Sequence, residues 1–166
     1  MSKTALIFLH GSGGSGIELR TYLESFRIEA FNYKTFRQIT DENNIDIYCP
    51  TSKSIEYLPA FGHPMNVWFN RSINFTNLGL NDTYEDTVEI HESINRIKKL
   101  IDDIYDKYDY IVLGGFSMGG GLSLYFTRET LPDKIIGIFS ISSKYIFDYY
   151  LNFKRNVSLY YYFDII

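Results

Sequence analysis

Ser117 stands in the frame Gly115-Phe116-Ser117-Met118-Gly119. This G-x-S-x-G spacing belongs to a sharp turn from strand to helix that lifts a serine hydroxyl clear of a sheet edge. Side chains two residues before and two after the serine would collide with it, so both places are glycine. The helix begins just past the serine and its free N–H groups face the reacting centre. One of them, the N–H of Met118, is placed to stabilise an oxyanion. A pattern of common residues also arises by chance, so the flanks decide. Tyr108–Leu113 reads as a buried strand, and Gly119–Thr130 reads as a helix closed by Pro132. Strand, bend and helix are the context that this chemistry needs.

A second stretch complements the first. The run His10-Gly11-Ser12-Gly13-Gly14-Ser15-Gly16 follows a short apolar strand, Thr4–Leu9. Its glycines let the main chain approach a substrate and aim the N–H of Ser12 at an oxyanion. Residues 11–16 also fit G-x-G-x-x-G, but no acidic residue closes the next strand and no G-x-x-x-x-G-K-[ST] is present, which argues against a phosphate loop. A flexible glycine turn is the plainer alternative. His10 precedes this loop, and it reads as a residue that orients the loop rather than as a base.

The remaining candidates read more blandly. His91 falls within an apolar helical pattern and is expected to be a hydrogen-bonded core residue. His63 could swing in as a substitute base. Cys49 is expected to be a small buried apolar residue, since no partner base is indicated. Thr51–Asn81 is a long connection without strong period, carrying Tyr57, Leu58, Phe61, Met65, Val67, Trp68 and Phe69. A loop of this length in a compact domain is usually functional. It is expected to form a wall or lid over an apolar site, with Met65, Trp68 and Phe69 binding substrate; a packed surface loop is the alternative.

The elements that must position these groups follow from periodicity. Glu18–Asn32 reads as a helix with Leu19, Tyr22, Leu23 and Phe26 on one face. Lys34–Asn44 is polar with a weaker pattern, and Ile45–Tyr48 is a short strand. Asp82–Tyr105 is the clearest helix, with Val88, His91, Ile94, Ile97, Ile101 and Ile104 at three- and four-residue steps and a capping box at Thr83 and Asp86. Lys134–Ile141 and Ser158–Ile166 read as strands, and Lys144–Asn156 is ambiguous. Alternating strands and helices predict an α/β domain with a mostly parallel sheet.

The 166 residues allow one domain, 1–166, with a real core. A net charge of −4 gives no electrostatic reason to expect nucleic acid or an anionic membrane as partner. A lone cysteine suggests a reducing compartment, so a cytoplasmic location is expected. The apolar run Ala5–Leu9 is too short for a signal or an integral membrane segment.

Together these stretches resemble the acyl-protein thioesterase/lysophospholipase-like branch of the α/β-hydrolase fold, closest to the lysophospholipase-like 1 type of carboxylesterase. The matching pieces are FLHGSG at 8–13, YCPT at 48–51, NVWF at 66–69, GGFSMGG at 114–120 and IFSISS at 138–143. The resemblance implies a serine hydrolase of acyl esters or thioesters: acylated proteins, lysophospholipids or small acyl esters. It implies Ser117 as nucleophile, Ser12 and Met118 as oxyanion donors, and no metal or organic cofactor. There are departures, at Gly14 and Asn70, where the family carries aspartate. The order of the catalytic residues in this fold is serine, then acid, then histidine. His10, His63 and His91 all precede Ser117, and Asp148 and Asp164 do not match the family's acid. The chain therefore reads as a C-terminally shortened domain lacking the late strands and helices, with an exposed sheet edge that favours self-association. Its alternative role is a catalytically impaired remnant that binds acyl groups or a partner.

Overall fold

The computed structural model describes residues 2–71 and 86–141, and the backbone of 158–162. Strand β1 (Thr4–Leu9) is followed by helix α1 (Gly16–Ser25), a two-residue ladder of β2 (Arg27–Ile28) with β3 (Lys34–Thr35), helix α2 (Phe36–Glu42) and strand β4 (Ile45–Tyr48). A hairpin of β5 (Ser54–Tyr57) and β6 (His63–Asn66) comes next. Then come helix α3 (Thr87–Ile104), strand β7 (Tyr110–Phe116), helix α4 (Met118–Phe126), strand β8 (Ile135–Ile141) and strand β9 (Ser158–Tyr162). The main sheet has the order β4-β1-β7-β8-β9, and every pairing in it is parallel. This is the α/β architecture that the alternation of patterns predicts.

The strand order fixes where a site can lie. The connection from β1 leads to β4 on one side, and that from β7 leads to β8 on the other. The loops therefore part above the C-terminal ends of β1 and β7. Such a reversal leaves a crevice where open α/β sheets bind ligands. Residue 10 opens the loop at one lip and Ser117 stands at the other.

Helix α3 supplies most of the core on one face. Ile90, Ile94, Ile97, Ile101 and Ile104 are buried with Ile7, Leu9, Ile111 and Leu113 of the sheet. Two expected members of that stripe are outside it: Val88 is 68% exposed and His91 is exposed. At about 100° per residue the five isoleucines lie within about 40° of one line, while His91 is about 100° and Val88 about 160° away from it. The His91 ring donates instead to the Thr87 carbonyl, with Nδ1 2.6 Å from it, and meets Tyr125 edge-on. The helix is capped by Asp86, whose carboxylate accepts from the Glu89 N–H at 3.0 Å. Thr83 lies outside the described residues.

Other boundaries move for local reasons. Helix α1 stops at Ser25, because Phe26 turns extended and the chain pairs as β2 and β3. Of its expected apolar face only Leu23 is buried; Tyr22 and Phe26 stack on each other in solvent. Helix α2 has a full capping box between Thr35 and Gln38, a signal present in the sequence and not read from it. Strand β7 runs through the glycines to Phe116, three residues beyond its expected end. Helix α4 ends at Phe126, with Thr127 Oγ1 bonded back to the Leu124 carbonyl. Residues 142–157 and 163–166, with Asp148 and Asp164, lie outside the described residues.

At the far end of the sheet a polar cluster ties β4 to β7. Tyr108 donates to Asp46 at 2.6 Å, Tyr48 and Tyr108 share a 2.7 Å hydroxyl contact, and Lys3 pairs with Asp46 at 2.9 Å. The Tyr108 phenol and then the Lys3 ammonium hold the Asp46 carboxyl below its ordinary range. Burial, then the Asp46 carboxylate, push the Tyr108 phenol up. Among the described residues no helix is long and apolar enough to cross a membrane.

Candidate active site

Ser117 has φ 53° and ψ −120°, a left-handed backbone that a non-glycine residue adopts only under constraint. Two hydrogen bonds fix it. Its N–H donates to the Ile141 carbonyl at the end of β8 (2.8 Å), and its own carbonyl accepts from Gly121 in the first turn of α4 (3.0 Å). The glycines do their work on backbone, not on the serine as expected. A Cβ on Gly115 would lie 2.3 Å from the carbonyl carbon of Gly119, and one on Gly119 would lie 2.5 Å from the carbonyl oxygen of His10. The first glycine lets the helix fold back on the strand. The second lets the bend seat against the end of β1.

The glycine loop after β1 lies beside this bend. A Cβ on Gly11 would stand 3.2 Å from the Cβ of Ser117, and Ser12 Oγ reaches Met118 Sδ at 3.7 Å. The two stretches singled out for an oxyanion site are thus brought together. Ser12 is exposed, Ser117 half-buried and Met118 buried.

The loop is held from below by groups far away in sequence. His10 is 2% exposed. Its Nε2 accepts from the Ser52 N–H at 3.0 Å, so the ring proton sits on Nδ1, which donates to the Gly11 carbonyl at 2.7 Å. Burial lowers its pKa, opposed by the Gly11 contact and the Glu18 charge. Both ring nitrogens are engaged with backbone, which suits a residue that shapes the loop. Trp68 Nε1 donates to the His10 carbonyl at 2.8 Å, and the two rings lie 5.0 Å apart. Gly13 N–H donates to the Asn66 carbonyl at 2.9 Å. Gly16 N–H, at the start of α1, donates to Thr51 Oγ1 at 2.9 Å.

The stretch expected to be a lid is therefore partly a foundation. Trp68 and Phe69 are 2% and 1% exposed and belong to the core, not to an open acyl wall. The reason is polar as well as apolar. Ser93 on α3 bonds the Trp68 carbonyl, and the Trp68 N–H points at Met118 Sδ at 3.4 Å. Every polar group of Trp68 is thereby used up inside the protein. Met65 is half-buried on β6, with its methyl 2.7 Å from where a Gly13 Cβ would stand, so it borders the loop. Phe116, beside the serine, is exposed. Thr51 and Asn66 lie in the stretches 48–51 and 66–69 that carry the resemblance, whereas neither Ser52 nor Ser93 is marked by a signal in the sequence.

No described histidine or other side chain hydrogen-bonds Ser117 Oγ. His63 is exposed on β6, opposite Tyr57. Cys49 is half-buried and burial pushes its thiol up to about 11, so it is no nucleophile. Among the described residues no three His, Cys, Asp or Glu side chains gather to hold a metal ion.

Comparison with known proteins gives a consistent set. The model of a family described as Phospholipase/Carboxylesterase matches residues 1–161. Lysophospholipase-like protein 1 of Mus musculus is 30% identical over 148 residues, covering 84% of this chain and 54% of that protein. Acyl-protein thioesterase 1 of Debaryomyces hansenii is 27% identical over 152 residues, covering 85% of this chain and 57% of that protein. The chain thus spans just over half the length of these relatives. Among solved structures, acyl-protein thioesterase 2 of Zea mays superposes with a TM-score of 0.65 at 21% identity, covering 87% of this chain and 58% of that one. SOBER1 of Arabidopsis thaliana gives 0.68 at 19% identity, covering 88% and 64%. These likenesses establish a shared α/β-hydrolase fold.

Proposed function

This chain belongs to the phospholipase/carboxylesterase family, and from that premise we propose that it is a serine hydrolase of acyl esters or thioesters with Ser117 as nucleophile. The observation that carries the reading is the constrained backbone of Ser117, at φ 53°, beside the loop of residues 10–13. Strained residues of this kind cluster at active sites.

In the first step Ser117 Oγ bonds to the carbonyl carbon of the substrate and gives its proton to a base. The carbonyl oxygen takes up negative charge against the N–H groups of Met118 and Ser12. One such donor contributes about 2.7–4 kcal/mol to the transition state in a well-studied serine enzyme. Collapse of the adduct breaks the bond to the alcohol or thiol, which leaves with a proton. Water then releases the acid from Ser117. Met65 and the exposed Phe116 border the acyl group. The names of the relatives suit a fatty acyl thioester on a protein, a lysophospholipid or a short acyl ester as substrate. The single cysteine suits the cytoplasm.

A second reading rests on a specific observation: no base among the described residues reaches Ser117 Oγ. Elsewhere, loss of one member of a serine triad leaves a residual rate about a thousand- to ten-thousand-fold over water. On this reading the chain binds acyl groups or a partner without turnover. A fluorophosphonate probe separates the two. Labelling of the wild type and not of Ser117→Ala supports the nucleophile; absence of labelling in both sinks catalysis by this chain. If His63 serves as base, His63→Ala slows thioester cleavage, and an unchanged rate removes His63 from the mechanism.

A further inference from the structure

The amides of the loop after β1 are unevenly engaged. Gly13 N–H donates to the Asn66 carbonyl at 2.9 Å and Gly14 N–H to the Gly11 carbonyl at 3.2 Å, while the Ser12 N–H donates to no group among the described residues. That open donor belongs to the same peptide unit as the Gly11 carbonyl. The unit is trans, so it is a rigid plate whose C=O and N–H point in opposite directions. Whatever holds the carbonyl therefore aims the N–H.

The His10 ring holds it. Nδ1 donates to the Gly11 carbonyl at 2.7 Å. The ring is buried, so the carbonyl is turned inward and the Ser12 N–H outward, on the side where Ser12 is exposed. The ring cannot swing. Its Nε2 takes the Ser52 N–H at 3.0 Å, and it packs on the indole of Trp68 with ring centres 5.0 Å apart. The Ser52 contact also selects the tautomer. A ring with its hydrogen on Nε2 would turn a donor on a donor and offer a lone pair to the Gly11 oxygen.

We propose that His10 is a positioning residue of the reaction: neutral and with its proton on Nδ1, it aims the Ser12 N–H at the developing oxyanion through the Gly11–Ser12 peptide plane, and a proton added at Nε2 releases that aim. This role rests on the reading of Ser12 as an oxyanion donor. The cationic ring keeps its bond to Gly11 but sets Nε2–H against the Ser52 N–H. Two buried donors then face each other, and the ring or residue 52 must move. Few charges act on the ring. Glu18 of α1 favours the cation, and its carboxylate accepts from the Ser15 hydroxyl at 2.7 Å. Lys53, next to Ser52, is turned to Glu92 of α3 at 2.7 Å. Trp68 beside the ring and Gly119 of the bend, against the His10 carbonyl, carry no charge. Burial outweighs the Gly11 contact and Glu18 and holds the ring below its ordinary 6.5. The aim is thus intact above about pH 6.5 and lost as pH falls through the lowered value.

Two variants of the whole chain separate the two bonds of the ring. His10→Asn puts an N–H in the place of Nδ1 and no acceptor in the place of Nε2. His10→Gln reaches the place of Nε2 and leaves Gly11 without its donor. Labelling of Ser117 by a fluorophosphonate is read as a limiting rate and a half-saturating concentration. The limiting rate of His10→Gln is expected to fall by about tenfold or more with half-saturation unchanged, within the range for loss of one oxyanion donor. His10→Asn recovers most of that rate. Nitrogen NMR of the wild-type ring at about pH 8 should find its hydrogen on Nδ1. As the ring takes its second proton, exchange at the Ser52 amide, corrected for its intrinsic pH dependence, should quicken by about tenfold or more while Gly121 holds. A hydrogen on Nε2, a Ser52 amide indifferent to the titration, or equal losses in the two variants overturns the proposal. Quickening at Ser52 and Gly121 together reports general unfolding and overturns it too. If the wild type takes no label, hydrolysis by this chain fails by itself, and the ring nitrogens and the Ser52 amide still decide whether His10 aims the loop.

Discussion

The bend at Ser117 and the loop at residues 10–16 meet at one place, yet they are held in opposite ways. The bend is fixed mostly from within its own stretch: glycines at 115 and 119 let strand and helix touch, the Gly121 N–H closes on the Ser117 carbonyl, and a single bond, from the Ser117 N–H to Ile141, reaches outside it. The loop is fixed by strangers in the sequence: Ser52 on the His10 ring, Trp68 on the His10 carbonyl, Asn66 on Gly13 and Thr51 on Gly16. A contiguous motif with one outside bond depends on few distant segments. A loop hung from four distant points depends on all the elements that carry them.

The largest effect should come from the bend itself. Gly115→Ala puts a methyl 2.3 Å from the Gly119 backbone, and neither side can yield without breaking the turn. A loss of about 3 kcal/mol or more is expected in urea unfolding. A near-neutral result would mean that the bend is not closed by contact between the glycines.

Next comes the tryptophan under the loop. Trp68→Phe removes the indole donor to the His10 carbonyl and leaves a void, for an expected loss of about 2–3 kcal/mol. Exchange at Gly13 and Gly16 should quicken while that at Gly121 holds. Equal change at both would erase the contrast between loop and bend.

Met118 joins the two regions, since its sulfur accepts from the Trp68 N–H and from Ser12. Met118→Leu keeps the volume and loses the acceptor, at about 1–2 kcal/mol of unfolding free energy. Met118→Gln, which restores an acceptor, should recover part of it.

The smallest effect is a response to acid. Burial lowers the His10 pKa from its ordinary 6.5, so the unfolded chain binds a proton more readily than the folded one. The sign follows: stability is unaffected above about pH 6.5 and falls as pH drops below it, through the lowered folded value. His10→Gln should lose this component of the slope between pH 6.5 and the acid limb of the unfolding curve. An unchanged slope would move the acid sensitivity elsewhere.

The same contrast explains what was legible in advance. The serine, its two glycines, the strand before and the helix after are one continuous stretch, and local chemistry dictates them. The parallel α/β sheet follows from alternating patterns of the same local kind. The sequence presents Trp68 as part of an acyl wall and the fold buries it, because exposure is decided by which partners arrive from afar. His91 and Val88 were misplaced for a different reason. The angles around α3 were readable, and the stripe was drawn too wide.

One bond sets a lower limit on any excised fragment. Since the amide of Ser117 is anchored to the carbonyl of Ile141, a piece ending before that residue would carry the whole pentapeptide and still be unable to present its hydroxyl. The smallest working unit is measured by that tether, twenty-odd residues downstream, and not by the motif.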